Sequence, residues 1–407
     1  MKHKLFHKDF TLMIIGQIIS LFGNAILRFS LSLYVLDTTN SPTAFATILA
    51  ISIIPTILLS PLGGLLADRI SKKRMMLTLD FLTAALIFLF SMYITPSLPI
   101  YWIGIAMIVL SVIQACYQPS VSASIPSLCQ EEDLMQANGV VVQVNALANL
   151  LGPLLGGILY SVLPFTTLLW IASLAFFLSA IIECIMHIPF VKQSTISQPM
   201  RIAYLDLKEG MNFILHKQPI LAKMLLVCAS LNLVLSCLMS VGLPIISNII
   251  LKLPPQYYGY LQSALGIGTI IGSLLIPLFN KHFTIKNMYQ VLVYASLCLI
   301  PLGAALLLTN NKISFLIVLF SSTIAILFAT IFNIYIQTFI QQTTPHLLLG
   351  KVSSFVTMIV MCSYPIGQSM YGILFDKFSN IPYMIVFIAA LLSILISFKT
   401  KKYLKKL

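Results

Sequence analysis

Charge is what this chain of 407 residues has least of: 9% of them are Asp, Glu, Lys or Arg, against roughly 25% in an ordinary soluble domain. Acids are the scarcer sign, 11 against 24 bases. The absences extend to chemistry. The seven cysteines, Cys116, Cys129, Cys184, Cys228, Cys237, Cys298 and Cys362, form no Cys-x-x-Cys pair and have no histidine at ligand spacing. They read as small apolar residues, without a metal or disulfide role. The six histidines, His3, His7, His187, His216, His282 and His346, are scattered through termini and loops. No cluster of the kind an enzyme needs is formed, so the chain reads as a non-enzyme without cofactor or metal. No glycine-rich phosphate loop is present, which excludes direct drive by ATP. A channel calls for a repeated pore loop or charged ring, and neither occurs.

What the chain has is apolar length. Hydrophobic residues make up 59% and mean hydropathy is +0.98. A bilayer core takes about 20 apolar residues per helix, and polar breaks divide the sequence into spans near 10–36, 43–66, 75–95, 100–122, 136–161 and 164–188, then 219–250, 256–280, 287–309, 313–341, 350–376 and 380–398. The first run continues past Leu33 without a small-x-small cleavage site, too long for a signal core of about 7–15 residues, and reads as the first membrane helix. Val191 to Lys217 is the longest polar stretch. The expected fold is therefore all-α integral membrane, twelve transmembrane helices in two pseudo-symmetric six-helix bundles, with an N-terminal bundle over 1–190, a cytoplasmic linker over 191–217 and a C-terminal bundle over 218–407.

Positive charge orients these spans. With the N-terminus inside, twenty of the 24 lysines and arginines fall on inner segments, and only Lys252, Lys312 and Lys377 fall outside, with Arg28 inside a span. By the positive-inside rule both termini are cytoplasmic, which requires an even number of spans. The net charge of +13 is thus a topology signal, and nucleic acid is not an expected partner.

The two halves echo each other. Gly152-Pro153-Leu154-Leu155-Gly156-Gly157-Ile158-Leu159-Tyr160 in the fifth span has its counterpart in Tyr364-Pro365-Ile366-Gly367, followed by Tyr371-Gly372-Ile373-Leu374-Phe375, in the eleventh. Internal symmetry of this kind marks secondary transporters, whose substrate site lies near the bilayer midplane. A Gly-x-x-x-Gly such as Gly268 to Gly272 by itself means close helix packing.

The tight hairpin between spans two and three, Gly64-Leu65-Leu66-Ala67-Asp68-Arg69-Ile70-Ser71-Lys72-Lys73-Arg74, resembles the signature of the major facilitator superfamily, with Ser71 in place of the usual glycine. Gly152-Pro153-x-x-Gly156-Gly157 resembles the motif of that family's export antiporters, with Ala148 where a glycine is expected. Gly16-Gln17-Ile18-Ile19-Ser20-Leu21-Phe22-Gly23 with Leu27-Arg28-Phe29-Ser30-Leu31, and Pro119, Pro126, Leu134 and Ala137-Asn138, are similar to the macrolide-efflux branch. The family's fourth-helix arginine motif is absent, since Tyr101 to Ser122 contains no arginine.

The resemblance implies a monomeric transporter of the plasma membrane that exports small amphipathic compounds, of macrolide or multidrug type, by proton antiport. An uptake or exchange porter for an endogenous metabolite or lipid-like substrate is the alternative on the same fold. It also implies a cytoplasmic gate of Gly64, Asp68, Arg69, Lys73 and Arg74, with Asp68 meeting the start of the eleventh span near Ser353 and Ser354. A carboxylate there complements the positive end of a helix dipole.

Within the spans, Arg28 is costly, at least ~2.5 kcal/mol on insertion scales, and must face a cavity or snorkel to the interface. Asn24 and Gln17 lie on a broadly similar face. Glu183 in the sixth span is the best carboxylate for a proton or organic cation, and its position also suits an interfacial acid. Asp80 in the third span has the same two readings, while Asp37 and Asp376 fall at outer ends. Among the amides and aromatics, Asn145 with Asn149, and Tyr364 with Gln368, are four apart on one helical face and complete the cavity and coupling candidates. Gly152, Pro153, Gly156, Gly157, Pro365 and Gly367 are candidates for helix bending and close packing.

Overall fold

A computed structural model describes residues 6–94, 99–130, 133–189, 205, 208–276, 287–345 and 348–404; the side chains of 60–69, 135, 349 and 354 also lie outside the described residues. Every regular element among the described residues is helical. That is the solution a bilayer imposes, because a helix satisfies its backbone hydrogen bonds within its own segment.

The first six helices are α1 (Lys8–Thr39), α2 (Pro42–Arg69), α3 (Lys72–Tyr93), α4 (Tyr101–Leu128), α5 (Leu134–Val162) and α6 (Phe165–Ile185). The second set is α7 (Pro219–Leu231), α8 (Pro255–Leu274), α9 (Tyr289–Leu297), α10 (Leu299–Ala305), α11 (Asn311–Thr343), α12 (Leu349–Lys377) and α13 (Pro382–Leu404). Among the described residues, ten helical segments are long and apolar enough to cross a membrane. The expected eighth and ninth spans are occupied by α8 and by the α9–α10 pair.

Two spans depart from straight α-helices. The seventh continues beyond α7 through π-helical turns at Asn232–Ser236, Leu238–Gly242 and Ile245–Ile250, a local widening that often marks functional segments. The ninth is divided at Cys298. Apolar periodicity carries no mark of either change, because a π turn buries the same residue types as an α turn.

The chain forms two compact units, one of residues 1–39 and 51–199, the other of 40–50 and 200–407. In the first, α1 packs against α4, α5 and α6, and α3 against α4 and α6. Its core joins Phe10, Met13, Met76, Tyr117, Val121 and Ala137. In the second, α8 packs on α11, and α13 on α7, α9 and α10. Its core joins Leu221, Met224, Val291, Ile331 and Val352. Large apolar side chains such as Leu89, Trp170, Phe320 and Leu391 are exposed, as lipid-facing residues are. Buried serines and threonines bond back along their helices, as Ser124 does to the Ser120 carbonyl at 2.7 Å and Ser397 to that of Ser393 at 2.7 Å.

The first turns of α2 and the far end of the expected linker both belong to the second unit. Thr43 donates to Asp376 at 2.7 Å, and Gly372 leaves no room for a Cβ beside Ala46. Residues 208–212 are helical and continue into a π turn, Phe213–Lys217. There Glu209 pairs with Lys351 at 2.7 Å, and Gly210 lies against the Lys351 carbonyl. Most of the remaining linker, and the Lys281 to Lys286 loop, lie outside the described residues.

Glycine governs how closely α8 and α11 approach. A Cβ at Gly268 would stand 2.6 Å from the Thr323 carbonyl oxygen, and one at Gly272 would stand 2.7 Å from that of Leu327. The contacts advance four residues on each helix together, so both run in the same direction along one small-residue seam. Gly272→Leu is expected to cost ~1–3 kcal/mol by overpacking and to lower the thermal unfolding temperature in detergent. Gly139→Ala, where nothing lies within 4 Å, serves as the control and should leave it unchanged.

Candidate functional site

α1 is the axis of the first unit. Gly16 and Gly23 face α6, where a Cβ would be 3.4 Å from the Ser179 hydroxyl and from the Ala175 Cβ respectively. Gly152 and Gly156 of α5 meet it from another side. A Cβ at Gly152 would overlap that of Ala25, and one at Gly156 would be 3.0 Å from the Phe29 ring. The same helix carries Gln17, Ser20, Asn24 and Arg28, residues three or four apart, toward the interior.

Toward the N-terminal half of α1 this column is acidic. Asp80 of α3 and Glu183 of α6 are 2% and 0% exposed. The Ser20 hydroxyl is hydrogen-bonded to the Asp80 carboxyl and, at 2.8 Å, to the Ser179 hydroxyl. Ser179 reaches the Gly16 carbonyl at 3.0 Å. The Tyr117 hydroxyl of α4 donates to Glu183 Oε1 at 2.9 Å. Glu183 Oε2 and both polar atoms of Gln17 are buried without a partner. Beside Asp80, a cavity bounded by Ser20, Asn24, Thr83, Gln114 and Tyr117 has about 10 Å³ of free room, close to what one water requires. Both acids are thus enclosed by protein, not open to solvent.

Two turns further along α1 the sign changes. Arg28 is half-buried; its Nε donates to Asn24 Oδ1 at 3.0 Å and its Nη1 to Ser111 Oγ of α4 at 3.1 Å. Neither partner is acidic, so the guanidinium charge is held by dipoles alone, in a setting where an arginine is costly and marks function.

The structure brings Gln17, Asn24, Arg28 and Glu183 together around one interior and leaves other candidates apart. Asn145 of α5 spends its amide on the Val141 carbonyl at 2.9 Å, and Asn149 is exposed. In the second unit Pro365 lies within α12. The neighbouring Gly367 lies against the π turns that follow α7, where a Cβ would be 2.6 Å from Cys237 Sγ and 2.8 Å from the Leu233 carbonyl oxygen. Tyr364 is half-buried and its carbonyl accepts from Cys237 Sγ at 3.6 Å; Gln368 is 6% exposed with its Oε1 unpartnered. The echo between halves is thus one of packing: α5 on α1, and α12 on the seventh span. Pro153 is half-buried within α5, and the buried Gly157 offers its carbonyl to Ser161 at 2.8 Å.

Of the hairpin, Gly64, Asp68 and Arg69 lie on the last turns of α2, and their side chains fall outside the described residues. Lys73 donates to the Cys184 carbonyl at 2.8 Å, its neighbour Lys72 donates to Ser127 at 2.8 Å, and Arg74 is exposed. Sequence reasoning missed Ser20, Ser179 and Ser111. The available signal was spacing, since Ser20 follows Gln17 by one turn and precedes Asn24 by another. Serine is too common in membrane helices for that to stand out.

Comparison with known proteins agrees with this architecture. The family model described as Major Facilitator Superfamily matches residues 13–367. Macrolide efflux protein A of Streptococcus pyogenes is 22% identical over 365 residues, spanning 89% of this chain and 88% of its own length. The staphyloferrin A transporter of Staphylococcus aureus is 22% identical over 360 residues, spanning 88% and 87%. The crystal structure of the nucleoside transporter NupG has a TM-score of 0.74 at 15% identity, over 97% of this chain and 99% of that one, a likeness of fold. With a family model matching most of its length, and helices built for a bilayer around a polar interior, the chain belongs to the major facilitator superfamily and is a multi-pass membrane transporter of a small-molecule substrate, not an enzyme.

Proposed function

We propose that this transporter exports small amphipathic compounds, of macrolide or multidrug type, across the plasma membrane by alternating access and in exchange for protons. It acts as a monomer with both termini in the cytoplasm. The observation that carries this reading is the contact of α5 with α1. Gly152 and Gly156 seat α5 against Ala25 and Phe29, the residues that bracket Arg28. A proline between the two glycines removes a backbone hydrogen bond. α5 can then bend while the seal beside Arg28 stays tight. The names of relatives support export, since macrolide efflux protein A aligns over 89% of the chain. They also differ in cargo, as the staphyloferrin A transporter shows, so the substrate class is kept broad.

In this reading Arg28 recognises the polar end of the cargo, and the hairpin with Asp68 and Arg69 closes the cytoplasmic side. Everted vesicles from cells expressing the chain are expected to accumulate radiolabelled erythromycin when a proton gradient is imposed and to stop when it is collapsed. Accumulation in right-side-out vesicles instead would identify the uptake porter. No transport of erythromycin or of a panel of amphipathic drugs in either orientation would remove the export reading.

Arg28→Ala should lower efflux by about tenfold or more, equivalent to ~1.4 kcal/mol, with Arg28→Lys between it and the parent. Gly152→Leu should abolish transport, because the added side chain has no space beside Ala25. Asp68→Asn should lower efflux with membrane insertion unchanged, as measured by surface-accessible labelling. Unchanged efflux in that variant would end its gate role.

A further inference from the structure

The hydrogen-bond chain beside Asp80 contains more contacts than its hydroxyls have protons. The contacts are Asp80 to Ser20, Ser20 to Ser179 at 2.8 Å, and Ser179 to the Gly16 carbonyl at 3.0 Å. Each serine supplies one proton. The Gly16 carbonyl can only accept, and Ser179 also hydrogen-bonds the Asp80 carboxyl, so two hydroxyl protons are too few for these contacts. A third proton is needed to fill all three, and Asp80 is the group that can carry it.

We propose that Asp80, with Glu183 as its neighbouring second acid, forms a proton-binding site wholly within the first unit, and that the Asp80 carboxyl carries the exchanged proton. The assignment rests on the antiport reading above for its purpose, but its geometry stands independently. When Asp80 is protonated it donates to Ser20, and all three contacts that tie α3, α1 and α6 are made. When it releases that proton to water, two protons serve three contacts, and one link between those helices is lost. Proton release and helix packing are therefore tied at one place. The cavity beside Asp80 has room for about one water, which provides the acceptor.

A second observation points to a guest at this position. Glu183 and Gln17 are fully buried, yet Glu183 Oε2 and both ends of Gln17 have no partner. The charged and titratable groups on the surrounding helices do not compensate the two acids. On α1, Arg28 is engaged by Asn24 and Ser111, and Asp9, at the cytoplasmic end, accepts from the His187 amide. On α3, Lys72 and Lys73 are engaged by Ser127 and the Cys184 carbonyl. On α4, Tyr117 donates to Glu183.

Infrared difference spectroscopy of the purified full-length protein in lipid nanodiscs, stepped through pH without substrate, tests the site. A protonated-carboxyl band is expected in the parent, absent from Asp80→Asn and retained in Glu183→Gln. Ser20→Ala removes the hydroxyl that accepts the Asp80 proton. Its band should titrate at lower pH, with proton affinity reduced about tenfold, one pH unit. A helix tie with no proton function would not move that midpoint. Absence of an Asp80-dependent band at any pH where the protein stays folded, or a midpoint that stays or rises in Ser20→Ala, overturns the proposal. Because no substrate is present, such a failure leaves export untouched, and failed export in vesicles would leave an Asp80 band intact.

Discussion

A bilayer supplies no hydrogen-bond partners, so every polar group carried into it must be answered by the protein, at a cost of several kcal/mol where it is not. Most of this structure follows from that constraint. Helices answer the backbone, and serines and threonines answer themselves by bonding to carbonyls on their own helices. In the second unit Asn248 and Gln368 keep unpartnered amide atoms, while the charged groups that cannot be answered locally, Asp80, Glu183 and Arg28, are gathered with Gln17 in the interior of the first unit. Their concentration there, with some atoms left without partners, sets that interior apart from an ordinary packed core.

Helix association in lipid cannot rely on the hydrophobic effect between helices, and small residues replace it. Glycines therefore stand where helices touch most closely: Gly152 and Gly156 of α5 on α1, Gly268 and Gly272 of α8 on α11, Gly367 of α12 on the turns after α7. The α5 seam holds α1 at Ala25 and Phe29, and with it the polar face of that helix. α5 and α12, each with a proline beside its packing glycine, perform the same task in their own units, which gives the repeated sequence pattern a physical meaning: each lies on the first long span of its half.

Along α1 the acidic and basic ends of the polar column are two to three turns apart and do not neutralise each other. Arg28 is held by an amide and a hydroxyl, Asp80 by a hydroxyl and Glu183 by a phenol. Keeping opposite charges unpaired in a low-dielectric interior is costly for stability. It leaves each able to respond to something that arrives from outside. In the proposed reading, a cargo group at one end and a proton at the other would act on the same helix.

Much of this was legible in the sequence. The apolar runs determined that the chain spans a membrane, because their length matches the hydrocarbon thickness whatever the helices pack against. The hairpin from Gly64 to Arg74 and the glycine–proline pattern from Gly152 carried the family, and Arg28 and Glu183 announced themselves as charges inside apolar runs. Tertiary structure alone decided which polar residues meet. Asp80 and Glu183 lie 103 positions apart and become neighbours of one serine network only when α3 and α6 pack on α1; Asn145 and Asn149, equally plausible by spacing, were left outside it. The π turns after α7, against which α12 lies at Gly367, were equally invisible, since the hydrophobicity of their residues does not distinguish a π turn from an α turn.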